Sequence, residues 1–283
     1  MGDLLFLHLV TVGTSIVRNA YCFSKDYSIL EKHIERLKNW SQAGPDTFWD
    51  KDAGEHARVS SDVLKDVLAF VSSDPRLASA ELNSFLGYID YLVDKGINNV
   101  VHDVVLYPTD TGTSLFCARV IKEYLEINGL NALRDKNHRL GKTEIDTVPG
   151  FGKNFWRGLL SLIEKIGERI IKSKNYDRIL ANLTAGFKPE SSFLLLVSSI
   201  LGVDTAYYIH EYMKNIVEIP VLELQLTPNM EKILEQILAT KTKPLPQDVA
   251  KITDRLGLTI NGKPLPETHK LAKILLRYRR RQG

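Results

Sequence analysis

The sequence has little cysteine and no long apolar run. Only Cys22 and Cys117 occur among its 283 residues, which argues against a disulfide scaffold or a cysteine zinc site. No stretch approaches the roughly 20 consecutive apolar residues that span a bilayer. The first apolar run also lacks the basic segment and the cleavage site of a secretory signal. These absences predict a cytoplasmic protein with no membrane span.

Common metal and nucleotide motifs are also missing. There is no Gly-x-Gly-x-x-Gly fingerprint, no His-Glu-x-x-His motif and no cysteine pair with zinc spacing. His8, His102 and His210 do not cluster in the sequence and fall in or beside predicted strands, so we interpret them as core or edge histidines. The sequence therefore predicts neither a metal nor a cofactor.

Charge is distributed unevenly along the chain. Residues 229–283 contain 12 Lys and Arg against 5 Asp and Glu, a net charge of +7. Because the whole chain carries +3, residues 1–228 carry −4. A basic segment that follows a mildly acidic body predicts two modules, with a boundary near residue 228.

The first module is organised around a strand, a turn and a helix at its start. Leu4 to Val12 is almost continuously apolar, as in a buried strand of a parallel sheet. Gly13, Thr14 and Ser15 follow, and a helical period begins at Ile16. Such a turn lies at a helix N-terminus and favours an anion such as phosphate. Alternatively, Thr14 or Ser15 simply caps the helix.

Strands and helices alternate through the rest of residues 1–228. Later strands are predicted over 99–106, 143–148, 178–184, 205–210 and 217–226, the last two as a hairpin-like or edge pair. Helices are predicted over 16–40, 50–72, 78–95, 115–128, 151–174 and 190–202, and a basic loop over 131–142. This alternation predicts an α/β fold with a Rossmann-like, doubly wound and mainly parallel sheet.

Three polar turns are expected to share the carboxyl edge of that sheet. They are Gly13 to Ser15, Thr109 to Ser114 and Gly186 to Lys188. Where the order of strands reverses, turns of this kind line a ligand-binding crevice. Lys188 follows a strand and a glycine, so its ammonium group is expected to lie across the crevice from Ser15.

The second module, residues 229–283, is predicted to contain short helices, a small β-element and a basic terminal helix. This order predicts a winged-helix-like module that contacts nucleic acid. The alternative is a helical extension that packs on a partner subunit. Arg277, Arg279, Arg280 and Arg281 spread charge around the helix, so any DNA binding is expected to be weak and non-specific.

Two segments together resemble a known family. Leu9-Val-Thr-Val-Gly-Thr-Ser15 and Asn182-Leu-Thr-Ala-Gly-Phe-Lys188 resemble the CRISPR-associated Rossmann-fold (CARF) family, and within it the crenarchaeal ring nucleases. The resemblance covers about residues 4–226. It implies a homodimer that binds cyclic tetra-adenylate, the second messenger of type III CRISPR systems. It also implies metal-independent cleavage of the ring to linear di-adenylate that ends in a 2′,3′-cyclic phosphate.

The resemblance also implies roles for individual residues. Ser15 and Lys188 match the catalytic serine and lysine of ring nucleases, although Thr14 is an alternative to Ser15. Ligand contacts are expected around the three turns, from Thr11, Gly13, Thr14, Arg18, Asn19, Thr111, Thr113, Ser114, Gly186 and Phe187.

Two other functions fit the same resemblance. A sensor would bind DNA through its second module when the messenger binds. An RNA-cutting effector would need an Arg followed by His after four to six residues, and the nearest pair, Arg134 and His138, is separated by only three. We therefore set the effector aside.

Overall fold

The fold is built on one six-stranded sheet, described here from a computed structural model. The structure describes residues 2–129, 133, 137–173, 175–184, 188–209, 215–240 and 243–279, with the backbone alone for 128–129, 188–193 and 278–279. The strands are β1 (Leu4–Val12), β2 (Val100–Pro108), β3 (His138–Ile145), β4 (Arg178–Asn182), β5 (Thr205–Ile209) and β6 (Ile216–Pro220). Their order is β3-β2-β1-β4-β5-β6.

All neighbouring strands in this sheet are parallel except β5 and β6, which pair antiparallel. The prediction of a mainly parallel, doubly wound sheet with a late edge pair is therefore confirmed. Val10 of β1 lies opposite Asn182 of β4, and Val12 lies opposite Pro108 of β2. The carboxyl ends of β1, β2 and β4 thus meet at one edge of the sheet.

Helices cover both faces of the sheet. One face carries α1 (Ser15–Cys22), α2 (Ile34–Ser41), α3 (Phe48–Arg58), α4 (Asp62–Ser73), α5 (Pro75–Ala78), α6 (Ala80–Asp94) and α7 (Gly112–Tyr124); the other carries α8 (Phe155–Lys172) and α9 (Lys188–Leu201). Val10 and Val12 pack in the first core, and Leu7 and Leu9 in the second. Burial on both faces explains why β1 is apolar except at His8 and Thr11.

Two long helices predicted from the sequence are each divided in the structure. The predicted helix 16–40 ends at Cys22 and resumes through a 3₁₀ turn, Ser28–His33, into α2. The predicted helix 50–72 breaks between α3 and α4, where the Ser61 hydroxyl accepts from the Leu64 amide and caps α4. At this second break the capping hydroxyl competes with continuation of the helix. Both predictions were wrong in length.

Strand β3 begins earlier than predicted. It runs from His138 to Ile145, so the predicted basic loop 131–142 is strand from His138 onward. Most of its side chains after His138 are exposed or half-buried, because β3 lies at the edge of the sheet. Residues 130–132 and 134–136 lie outside the described part of the chain.

The basic terminal segment packs on the body of the protein. It contains α10 (Pro228–Ala239), α11 (Gln247–Arg255), the hairpin of β7 (Thr259–Ile260) and β8 (Lys263–Pro264), and α12 (Pro266–Arg279). Ile274 of α12 is 3% exposed and joins the core beneath α8 and α9. Lys270 and Arg277 pair with Glu164 and Glu168 of α8. None of the described helices is long and apolar enough to cross a membrane.

A chain of buried polar side chains runs across the sheet. His138 Nε2 lies 3.1 Å from the Ile97 carbonyl oxygen, His102 Nε2 lies 2.8 Å from His138 Nδ1, and His8 Nε2 lies 2.9 Å from His102 Nδ1. Tyr207 completes the chain, with its hydroxyl 3.0 Å from His8 Nδ1. His8 and His102 are core residues as predicted, whereas His210 lies outside the described residues. The fold also brings His8 and His102 together with His138, which the sequence did not reveal.

The Ile97 carbonyl sets the direction of this chain. A carbonyl oxygen only accepts, so His138 Nε2 carries a proton. A neutral imidazole has one proton, so His138 Nδ1 accepts from His102 Nε2. In the same way, His102 Nδ1 accepts from His8 Nε2. Tyr207 then donates to His8. Asn182, opposite Tyr207 in β4, places its amide beside that hydroxyl. The series of hydrogen-bonded side chains therefore extends to Asn182, the last residue of β4, at the carboxyl edge of the sheet.

Substituting the buried isoleucine of α12 tests whether the terminal segment stabilises the body. We expect Ile274→Ala to lower the free energy of unfolding by about 2–5 kcal/mol, because it removes a buried side chain and leaves a cavity. Ile260→Ala is the matched control, since Ile260 on the hairpin is 62% exposed and should change stability by about 0.5 kcal/mol or less. Equal urea midpoints for the two variants would contradict the packing.

The histidine chain predicts how stability depends on pH. Burial lowers the pKa of His8 to about 3 and lowers that of His102 well below its usual value. Below about pH 6.5 the unfolded chain therefore binds more protons than the folded one, so stability falls as the pH falls. The expected loss is about 1.4 kcal/mol per pH unit for each ring. Urea unfolding at pH 7.5, 6.5 and 5.5 measures it, and a flat profile would contradict neutral rings.

Candidate functional site

The order of the strands reverses between β1 and β4. From β1 the chain continues to β2 on one side, and it later returns to β4 on the other side. The segments that follow β1 and β4 therefore leave the sheet in opposite directions and leave a crevice between them. Gly13 to Ser15 borders this crevice on one side. On the other side the described residues are 183–184 and, after residues outside the described part, the start of α9 at Lys188.

A buried carboxylate lies in the turn that follows β1. Glu81, in the first turn of α6, is 2% exposed. Its carboxylate accepts from the Gly13 amide at 2.8 Å, the Ser15 hydroxyl at 2.7 Å and the Ser79 hydroxyl at 2.8 Å. Three donors from two segments and the positive end of the α6 dipole stabilise the buried charge. A carboxylate thus occupies the place where the sequence predicts an anion.

Ser15 is bound on two sides. Its hydroxyl donates to Glu81 and accepts from the Ala80 amide at 3.3 Å. Ser15 as a residue remains half-buried, at the border of the crevice. Thr14 is exposed and occupies the N-cap position of α1 without a capping hydrogen bond from its side chain. Ser15 therefore holds the turn against α6, whereas the Thr14 side chain projects outward.

The segment after β4 is anchored by Asn182. This residue is fully buried, and its side-chain oxygen accepts from the Thr184 amide at 3.0 Å while its amide group donates to Ser84 of α6 at 2.7 Å. The Thr184 hydroxyl in turn accepts from the Ile209 amide at 3.1 Å. Gly186 and Phe187 lie outside the described residues. Lys188 begins α9, but its side chain is also outside the described part.

The third turn, after β2, is tied to its neighbours by its own hydroxyl groups. Thr111 caps α7 by accepting from the Ser114 amide. Thr113 donates to the buried Asp50 carboxylate of α3 at 3.2 Å, and Ser114 donates to the Val12 carbonyl at 2.8 Å. Ser114 therefore joins the ends of β1 and β2. These three hydroxyl groups, like that of Ser15, have hydrogen-bond partners inside the protein.

The remaining candidates lie around α1. Asn19 donates its side-chain amide to the Leu77 and Ala78 carbonyls at 2.9 and 3.2 Å, which attaches α1 to α5. Arg18 is exposed one turn after Ser15, and Thr11 is buried near the end of β1. Of these, Arg18 is the one with a side chain open to solvent.

A groove of about 1110 Å³ opens beside the crevice, between α5, α6 and the ends of β4 to β6. Ala80, Asn83 and Thr184 line the end nearest to Ser15. Tyr91 lines the far end and donates to Glu218 of β6, as does Tyr88. The groove is large enough for nucleotide-sized ligands, and it is bordered by residues that also hold the crevice.

The sequence did not reveal Glu81 or Asp50 as parts of the edge. Glu81 lies 66 residues after Ser15, and nothing in the local pattern distinguishes it from a solvated helix residue. The sequence does place Glu81 two residues after Ser79, a helix N-cap, which indicates the first turn of a helix but not the contact with Ser15. Within the described residues, no group of three or more His, Cys, Asp or Glu side chains is arranged to hold a metal ion.

A comparison with known protein families matches more than half of the chain. The family model described as CRISPR-associated protein (Cas_APE2256) matches residues 76–222. This span takes in α6 with Glu81, the turn after β2, and the segment from Asn182 to Lys188, and it begins after β1 and Ser15. The CRISPR association that the sequence predicted is thereby confirmed. The chain belongs to this CRISPR-associated family.

Proposed function

We propose that this protein is a ring nuclease that cleaves cyclic tetra-adenylate to linear di-adenylate with a 2′,3′-cyclic phosphate. The observation that carries the proposal is the crevice at the strand reversal, with Ser15 on one side and the start of α9 at Lys188 on the other. Membership of a CRISPR-associated family supports it. The two motifs that resemble ring nucleases flank this crevice.

The chemistry needs positioning and fixed charge rather than a protein nucleophile. A ribose 2′-hydroxyl attacks its own 3′-phosphodiester in line with the departing 5′-oxygen, and negative charge grows on the phosphoryl oxygens. We assign that charge stabilisation to Lys188, since the Gly13 amide is already bound to Glu81. Ser15 holds the reacting ribose. No metal is required in this scheme.

A homodimer would complete the site. Cyclic tetra-adenylate can adopt two-fold symmetry, and a symmetric dimer presents the same turns twice around one axis. One ring would then contact the crevices of two chains, and each chain would cut one of two opposite linkages. Two cuts yield two linear di-adenylates.

The alternative is a messenger-sensing regulator that binds DNA through residues 229–283. The net charge of +7 and the order of helix, helix, hairpin and helix favour this reading. Against it, Lys270 and Arg277 are paired with glutamates of α8, which lowers the positive charge available for phosphate. We therefore propose that this segment supports the body or the dimer, and that its contact with nucleic acid is weak.

The test is incubation of the purified full chain with labelled cyclic tetra-adenylate in EDTA, with products separated by chromatography. We expect linear di-adenylate with a 2′,3′-cyclic phosphate. Lys188→Ala should lower the single-turnover rate by about 10²–10³, the usual cost of one lost charge stabiliser, and Ser15→Ala should act similarly. Lys172→Ala is the matched control. It removes an exposed lysine at the end of α8 and should leave the rate unchanged.

Several results would contradict this proposal. An intact ring after long incubation of the wild-type chain would remove the nuclease assignment. Near-normal cleavage by Lys188→Ala would remove Lys188 from the mechanism. If Thr14→Ala is much slower than Ser15→Ala, the two hydroxyl groups have the opposite roles.

A further inference from the structure

Glu81 determines what kind of hydrogen bond Ser15 can offer a ligand. A serine hydroxyl has one proton to donate and two lone pairs that accept. The proton is donated to Glu81 at 2.7 Å, and the Ala80 amide donates to one lone pair at 3.3 Å. What remains on the hydroxyl oxygen of this half-buried residue is a single acceptor position. A ligand group bound there must therefore be a hydrogen-bond donor.

The negative charge of Glu81 also favours a hydrogen-bond donor of the ligand at Ser15 over a phosphoryl oxygen. Its carboxylate lies within hydrogen-bond distance of the Ser15 hydroxyl and is almost completely buried, so little water screens it. A phosphoryl oxygen at Ser15 would meet this negative charge and would find no proton to accept. A neutral hydroxyl avoids both problems. In a nucleotide ring, the donor of that kind nearest to the phosphodiester is the ribose 2′-hydroxyl.

We propose that Glu81 is a positioning residue that holds Ser15 as an acceptor for a ribose 2′-hydroxyl, and thereby selects ribose over deoxyribose. The proposal rests on the proposed function, because it takes the ligand to be a ring of ribonucleotides. Ser15 then binds the attacking oxygen rather than the phosphate. The Gly13 amide and the Ser79 hydroxyl keep the carboxylate in place while Ser15 binds the ligand.

The test compares the binding of cyclic tetra-adenylate with that of its fully 2′-deoxy analogue in EDTA, at early times before cleavage. The wild-type chain should bind the ribose ring more tightly, by roughly 2- to 12-fold for each hydrogen bond of ordinary strength. In Ser15→Ala and in Glu81→Gln this preference should shrink towards the value left by other ribose contacts. In Glu81→Gln the single amide oxygen is expected to stay on the Gly13 amide, which places the NH2 group at Ser15. The serine proton is then free to turn towards the ligand, so Ser15 no longer requires a donor.

Ser79→Ala is the matched control. It removes a different donor from the same carboxylate and leaves the contact between Glu81 and Ser15 intact. We expect Ser79→Ala to lower stability and yet to keep the preference for ribose. If Glu81 had only a structural role, Ser79→Ala would weaken that preference as much as Glu81→Gln does. Thermal unfolding of each variant shows whether it folds, and Ser15→Ala carries the test if Glu81→Gln does not.

Each outcome separates this inference from the proposed function. If the wild-type chain binds and cleaves the ring while Ser15→Ala and Glu81→Gln keep the full preference for ribose, the inference is wrong and the nuclease assignment stands. If the wild-type chain binds neither ring, the proposed function fails and the inference fails with it. Equal loss of preference in Ser79→Ala would also overturn the inference, because general damage to the turn would then explain the effect.

Discussion

The carboxyl edge of the sheet depends on one buried carboxylate. Glu81 connects the turn after β1, the hydroxyl of Ser15 and the cap of α6 through three donated hydrogen bonds. A buried charge is tolerated only when such partners are present, and each partner is in turn fixed by the charge it satisfies. The turn that opens the crevice is therefore held to α6 by these hydrogen bonds. In our proposal, this contact also determines which ligand groups the turn can bind.

This arrangement divides the work between the two sides of the crevice. The side after β1 presents an acceptor backed by negative charge, so in our account it binds a hydroxyl. The side after β4 begins α9 at Lys188, and in our account it supplies the positive charge that a phosphodiester needs. Asn182 anchors that second side through Ser84 and Thr184. The hydrogen-bonded histidines extend from β3, the outer strand of the sheet, to Tyr207 beside Asn182. They provide hydrogen-bond partners for the buried polar groups next to Asn182.

The sequence predicted the strand after which the crevice opens, because an almost continuous apolar run followed by small polar residues has few other interpretations. It also predicted the mainly parallel sheet and the antiparallel edge pair. It missed the contacts that join distant segments, such as Glu81 with Ser15, Asp50 with Thr113, and His8 with His102. These pairs are 63 to 94 residues apart, and only the packing of helices on the sheet brings them together. The helix break at Ser61 was missed for a simpler reason. A serine between two apolar patterns does not by itself indicate that a helix begins there.

The central claim is that two chains share one ring of ribonucleotides at this edge. The most direct measurement is a calorimetric titration of the full chain with the 2′-deoxy analogue of cyclic tetra-adenylate, which has no attacking hydroxyl and stays intact. The account predicts saturation at one ring for every two chains, with the complex a dimer by light scattering. Saturation at one ring per chain, or a monomeric complex, would contradict it.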